Sequence, residues 1–301
     1  MADVVGIGAA VFDDLILLDD FPREDTKFRA AATKTQGGGP CATALVAAAK
    51  LGISAAYFGV LGGDALSCYI LEEFRHYGVE CDSVRIVKGG CSSKSTVLIN
   101  KRNASRTCIW NPGTLPPMNE DDVPLDKIKA AKYLHIDGGN LDIAIFAAKK
   151  AREFSVKVSL DIGSPRPGVE NLLPLVDILI PPEEFVLGIS GKGSPEEGAE
   201  WIFSQYKPEV FIVTQGAKGG FIFDGKDCVR YKAFPRRAVD TNGAGDTFHG
   251  AFLAGMVRGM ELKEAANFAS AVAGITCSGF GARESVPSFE ETMKAIKEAG
   301  F

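Results

Sequence analysis

Asp240-Thr241-Asn242-Gly243-Ala244-Gly245-Asp246-Thr247-Phe248 is the segment whose residue types and spacing most directly suggest chemistry. An apolar run follows it and reads as a helix from Ala244 to Arg258. Gly243 and Gly245 let the backbone come close to a ligand. At a helix start, the free N–H groups and the positive helix end point at one spot. The N–H groups of Gly243, Ala244 and Gly245 therefore make a candidate anion hole for a transferring phosphoryl group. Asp246, in the first turn, is placed to accept the proton of an attacking hydroxyl. An anion hole beside a carboxylate is what phosphoryl transfer to an alcohol needs. The competing reading is a glycine-rich helix start with Asp246 as a mere cap.

A second glycine segment, Gln36 to Pro40, reads as a loop that opens a buried helix from Ala42 to Leu51, ended by Gly52. Around these two segments the chain alternates between short apolar runs and helical stretches. Strands are expected at Val4–Gly8, Ala55–Val60, Tyr133–Ile136, Lys157–Leu160, Ile178–Ile180 and Val210–Val213, with a hairpin over Gly220–Tyr231. Helices are expected at Ala65–Tyr77, Leu141–Phe154, Glu196–Gln205, Leu262–Cys277 and Phe289–Glu298. That alternation predicts an α/β fold, a doubly wound and mostly parallel sheet with helices on both faces. Two β-rich pieces, roughly 14–34 and 93–112, break the alternation and read together as a small β lid on a single domain spanning 1–301. Within the second piece, Thr96–Asn100 and Arg106–Trp110 read as a hairpin.

The totals bound the possible partners. The chain has 301 residues, 46% hydrophobic and 24% charged, with a net charge of −5, which is globular composition without a basic face. Nucleic acid and anionic membranes are thereby excluded as main partners. The apolar stretch 51–63 is too short to cross a bilayer, and the N-terminus lacks the basic-then-apolar pattern of a signal peptide. Seven cysteines without a CxxC pair favour a reducing cytoplasm over a disulfide or zinc framework.

The Asp-Thr before Gly-Ala-Gly-Asp, together with Gly37-Gly38-Gly39-Pro40-Cys41-Ala42-Thr43-Ala44 in the first fifth, resembles the two signatures of the ribokinase family of carbohydrate kinases, the phosphofructokinase-B type. Order and spacing match over essentially the whole chain. The resemblance implies a ribokinase-like domain with a β lid, with sugar between the two and ATP along the C-terminal half. Asp246 takes the place of the catalytic aspartate and Asp13 that of the sugar-binding aspartate. Gly38 and Gly39 let the sugar lie against backbone, and Thr43 stands where the family often has asparagine. Thr214, Gly216 and Gly219 match the nucleotide loop, while Asn267 and the loop 278–282, with Gly281, would flank the adenine. Mg²⁺ is implied as cofactor, potassium is a candidate activator near Asp240, and a homodimer through the lid is implied by the resemblance. Apolar residues in Leu15–Leu18 and at Ile109 favour such a dimer, because an uncovered sheet leaves apolar surface in water.

Two further departures qualify the resemblance. The Asn-x-x-Glu motif that helps organise magnesium becomes Pro182-Glu183-Glu184-Phe185, leaving Glu183, Glu184 and Asp240 as metal candidates. The pattern GGGPxATA with Lys27, read as part of the first lid strand, is closest to the branch containing sulfofructose kinase. The arginine expected after His135 to grip a sulfonate is missing, since Asp137-Gly138-Gly139-Asn140 stands there. A neutral sugar or polyol is therefore expected, with Asn111 and Asn140 as hydroxyl readers or as ordinary loop caps. The alternatives are a nucleoside or sugar-phosphate kinase of the same fold, a nicotinamide-dependent oxidoreductase using Gly6 and Gly8, and a non-catalytic sugar-binding regulator.

Overall fold

A computed structural model describes all 301 residues. The chain begins with strands β1 (Val4–Ile7), β2 (Val11–Leu18) and β3 (Ala32–Gly38), helix α1 (Pro40–Lys50), then β4 (Ala55–Phe58) and β5 (Val60–Gly62). Next come α2 (Ala65–His76), β6 (Val79–Glu80), β7 (Arg85–Val87), β8 (Lys94–Asn100), β9 (Arg106–Asn111), α3 (Leu125–Lys129) and β10 (Tyr133–Ile136). The middle holds α4 (Leu141–Glu153), β11 (Lys157–Leu160), β12 (Ile178–Leu179), α5 (Glu183–Ser190), α6 (Pro195–Tyr206) and β13 (Val210–Thr214). The last third is β14 (Gly220–Phe223), β15 (Cys228–Tyr231), α7 (Ala244–Val257), α8 (Leu262–Thr276), α9 (Ala282–Ser285) and α10 (Phe289–Ala299).

Nine strands form the main sheet in the order β15-β14-β13-β12-β11-β10-β1-β4-β6, parallel from β13 to β6 and antiparallel at β14 and β15. From β1 the chain first builds outwards through β4 and β6, then crosses to β10 on the other flank of β1. The space beyond the carboxyl ends of β1 and β10 is thus the topological switch point, where open α/β sheets bind ligands. Residues of β1 alternate between two cores. Val4 joins the cluster under α1, α2, α7 and α8, while Val5 and Ile7 join the one under α4, α5 and α6. The period-two pattern of a strand covered on both faces produces this division.

Four strands, β3-β2-β8-β9, make the separate lid sheet. Its first part differs from expectation. Strand β2 starts at Val11, and Gln36–Gly38, expected as a loop, is the end of β3, with Val11 opposite Gly38 and Phe12 opposite Gly37. Pairing with β2 supplies the partners that glycine's weak strand preference would not have predicted. Lys27 lies in the exposed connection between β2 and β3, not in a strand.

Register sorts the lid residues onto two faces. Asp13, Gln36, Ser95 and Trp110 share one row on the inner face, with Leu15, Val97 and Cys108 in the next. Leu15, Leu17, Val97 and Ile99 bury themselves there against Ala32 and Phe280. Leu15 and Leu17 are therefore not exposed dimer residues. The outer face instead carries Asp14, Ile16, Thr96, Leu98 and Ile109.

Candidate active site

One cavity of about 1090 Å³ occupies the switch point. Its walls are the β1–β2 connection, the Asp137–Asn140 connection after β10, the inner face of the lid, and the starts of α1 and α7.

The start of α7 is built by backbone geometry. Gly243 is the N-cap residue with φ of 73°, a left-handed conformation that costs glycine nothing. The N–H groups of Gly243 and Gly245 have no acceptor within the protein, and that of Ala244 makes only a long 3.4 Å bond to the Thr241 carbonyl. The Asp240 carboxylate braces this turn from behind, accepting from the Asn242 N–H at 2.8 Å and the Gly281 N–H at 3.1 Å. Asp246 lies in the first turn of α7 and lines the cavity. Burial, with the carboxylate of Asp161 adding to it, pushes its pKa up to about 7, while Arg106 opposes the rise. Asp161 is itself raised to about 7 by burial and by Asp137, and its Oδ2 has no hydrogen-bond partner. Its Oδ1 lies 3.4 Å from Nε2 of His249, whose ring burial holds well below the usual imidazole range, at about 3. A neutral His249 therefore faces this acid rather than forming an ion pair.

The lid contributes Asp13, which is 6% exposed on the inner face. Burial pushes it to about 6, against the pull of Arg283 and in the same sense as the charge of Asp246, with Asn242 and Ser95 beside it. A Cβ on Gly38 would run into the Asp13 carboxylate, so only glycine lets the two meet. Gly38, Gly39 and Thr43, singled out by the family resemblance, all line the cavity. Gly8 also faces it, but a Cβ there would strike Asp137, whose Oδ2 accepts from the Ala9 N–H at 2.6 Å. That glycine serves close packing, not a dinucleotide fingerprint.

Several expected residues do something else. Asn140 lines the cavity, yet its Oδ1 caps α4 through the Ile143 N–H at 3.4 Å and its Nδ2 donates to the Met118 carbonyl at 3.4 Å. Asn111 is on the outer face of the lid, where its Oδ1 accepts from the Gly113 N–H at 2.9 Å. Both are loop caps. Lys27 does not line the cavity. Thr214, Gly216, Gly219, Asn267 and Gly281 are not on its wall either. Gly219 has φ of 87° in a tight turn closed by the Gln215 N–H on its carbonyl at 2.8 Å.

The metal candidates do not gather. No group of three or more His, Cys, Asp or Glu side chains is placed to hold a metal ion. Glu183 accepts from Gln215 at 2.9 Å and lies 3.7 Å from Lys218, Glu184 is exposed, and Phe185 is fully buried in the core. The acidic turn is in fact the first turn of α5, where acids favour the helix dipole.

Sequence reasoning overlooked the cations. Arg106 reaches the cavity from the inner face of β9, and its Nη1 donates to the Thr241 hydroxyl at 3.4 Å. Arg166, in the segment after β11, also lines the cavity and donates to the Gly138 carbonyl at 3.0 Å. It stands over the loop where an arginine was missing from the sequence. The strand period could have flagged Arg106, two and four residues before Cys108 and Trp110. No local signal marks Arg166 or Asp161.

A doubly wound sheet, a β lid and a carboxylate beside unpaired helix N–H groups define a phosphotransferase that acts on a hydroxyl. Residues 1–288 match the pfkB family of carbohydrate kinases, and the chain belongs to that family. It is 26% identical over 298 residues to a nucleoside kinase from Methanothermobacter thermautotrophicus, covering 97% of this chain and 94% of the relative. It is 27% identical over 285 residues to the ketohexokinase of Mus musculus, covering 91% and 95%. The structure of Arabidopsis thaliana ribokinase complexed with ribose and ATP superposes with a TM-score of 0.84 at 27% identity, covering 98% and 99%. An E. coli chain of this fold in complex with ATP and Mg²⁺ superposes with a TM-score of 0.85 at 18% identity, covering 99% and 100%.

Proposed function

We propose that the protein transfers the γ-phosphoryl group of ATP to a hydroxyl of a sugar or polyol, with Asp246 as general base and the N–H groups of Gly243 to Gly245 as the anion hole. The observation that carries this reading is the shared cavity of Asp246 and Asp13, beside the unpaired N–H groups of Gly243 and Gly245. Asp13 accepts from acceptor hydroxyls, and Asp246 takes the proton as the oxygen attacks. The test is coupled ADP release over aldoses, ketoses, polyols, nucleosides and sugar phosphates, with Asp246→Asn as control. ATP turnover that survives the substitution unchanged would sink the assignment.

A second reading, an anionic sugar, is favoured by Arg106 and Arg166 on the cavity wall. Guanidinium groups suit phosphate, sulfonate and carboxylate. Under this reading kcat/KM is higher for the charged member of each sugar pair, and Arg166→Met reverses that order.

Mg²⁺ suits the reaction, but the residues do not form a protein cage for it, because Pro182 and Phe185 replace the motif and Glu183 is already paired. Its ligands would come chiefly from the nucleotide phosphates, as is common for this ion. Replacing K⁺ by Na⁺ in the same assay tests a potassium requirement. A homodimer through the outer face of the lid is supported by Ile16 and Leu98 on that face and by Ile109, which is 59% exposed there. Seven free cysteines support a cytoplasmic location. No helix is long and apolar enough to cross a membrane.

A further inference from the structure

Arg283 is a fully buried arginine just behind the cavity. Its guanidinium is used on three sides. Nη1 pairs with the Glu73 carboxylate of α2, Nη2 donates to the Gly38 carbonyl at 2.8 Å, and Nε reaches the Thr43 hydroxyl of α1 at 3.4 Å. Its Cζ also lies 5.4 Å from the centre of the Phe74 ring. Glu73 in turn accepts from the Gly37 N–H at 2.8 Å, and a Cβ on Gly37 would collide with both partners of the pair. The end of β3 and the start of α1 are thus held by one ion pair.

The other end of the same short element grips the anion turn. Gly281, just before α9, donates its N–H to Asp240, and Ala282 packs where a Cβ on Gly243 would lie. Gly281, Ala282 and Arg283 thus bridge the turn that begins α7 and the loop that begins α1, beside a direct approach of Thr43 to Gly243. A buried guanidinium without its partners is costly, so the three contacts form or fail together.

We propose that Arg283 is a positioning residue that couples the two halves of the site, so that filling the anion turn at Gly243 stiffens the acceptor loop at Gly37–Thr43. The inference rests on the kinase reading above. It goes beyond it in assigning a residue that touches neither reacting group and in linking two binding events. Such a link is a coupling free energy carried by a defined set of contacts.

The experiment is hydrogen exchange of the full chain with and without AMP-PNP and MgCl₂. In the unmodified protein, AMP-PNP slows exchange of the Gly37–Leu45 peptide about fivefold or more, the lower end of usual coupling. In Arg283→Met that protection is lost, while AMP-PNP affinity measured by calorimetry falls much less. Because Arg283→Met leaves Glu73 buried without its partner, the double variant Glu73→Gln/Arg283→Met removes both charges and keeps the fold testable. Unchanged protection in either folded variant, or none in the unmodified protein despite AMP-PNP binding, would overturn the coupling alone. No AMP-PNP binding at all would overturn the kinase reading and the coupling with it.

Discussion

The two faces of the lid sheet are made by the same strands, yet they have opposite chemistry. Asp13 points inward, is almost fully buried and is raised to about 6 by that burial. Asp14 points outward and pairs with Lys94 at 2.6 Å in partial contact with solvent. Cys108 and Trp110 line the cavity, while Ile109 and Asn111 between and after them face away. One residue of register therefore separates a residue that lines the cavity from one at the surface, because strand side chains alternate. Residue type alone does not reveal role here, since adjacent aspartates differ only in which face they meet.

The contrast matters only if the inner face closes over a working base. Asp246→Asn gives the largest expected effect, a loss in kcat of about 10²-fold or more with acceptor and ATP binding near normal. Steady-state kinetics with both substrates checks it, and near-normal kcat would leave the inner face without a reaction to serve. Next, Asp13→Ala raises the acceptor KM about tenfold or more while that for ATP changes little, and Asp14→Ala changes neither, because a pair this exposed contributes about 1 kcal/mol or less. Equal effects at the two positions would break the comparison.

The third prediction concerns pH. A general base must be ionised, and Asp246 sits at about 7 in the free protein, so kcat/KM rises with pH through about 7 and then levels. A flat profile between pH 5.5 and 8.5 would argue against Asp246 as the group that titrates. The same burial has a stability consequence. Asp161 has a folded pKa raised above its unfolded value, so its contribution to stability is present at low pH and is lost as pH rises through about 7. Asp161→Asn should therefore raise the melting temperature more at pH 8 than at pH 5, as differential scanning calorimetry would show. The smallest kinetic effect belongs to the outer face. Ile109→Asp or Ile16→Asp converts a dimer to monomer in sedimentation with little change in acceptor KM, whereas an unmutated chain that is monomeric at micromolar concentration removes the dimer proposal.

Much of the architecture was legible from local pattern. The alternation of apolar runs and helical stretches predicts the main sheet, and the starts of α7 and α8 fall where glycine, charge and periodicity put them. Errors cluster where tertiary pairing overrides local preference. Gln36–Gly38 is a strand because β2 lies beside it, whereas the helix Glu183–Ser190 follows local preference, with Pro182 at its N-cap and two glutamates in its first turn. Asn111 and Asn140 illustrate the same limit in the site. Both are short polar side chains that satisfy nearby backbone N–H groups, a use no motif distinguishes from hydroxyl recognition.

What the sequence determined by itself is the set of short-range features: glycines that open two helices, a carboxylate in the first turn of one of them, and the alternation of apolar runs and helical stretches that marks the main sheet. These depend on backbone conformation within a few residues, so residue type and spacing are enough. Only the tertiary structure decided which charges share the cavity. Arg283 meets Gly38 across 245 positions of chain, Arg106 meets Thr241 across 135, and Asp246 is raised by burial and by Asp161, which follows the end of β11. Desolvation and charge pairing depend on distance in space and on exclusion of water, and neither is written in the local order of residues.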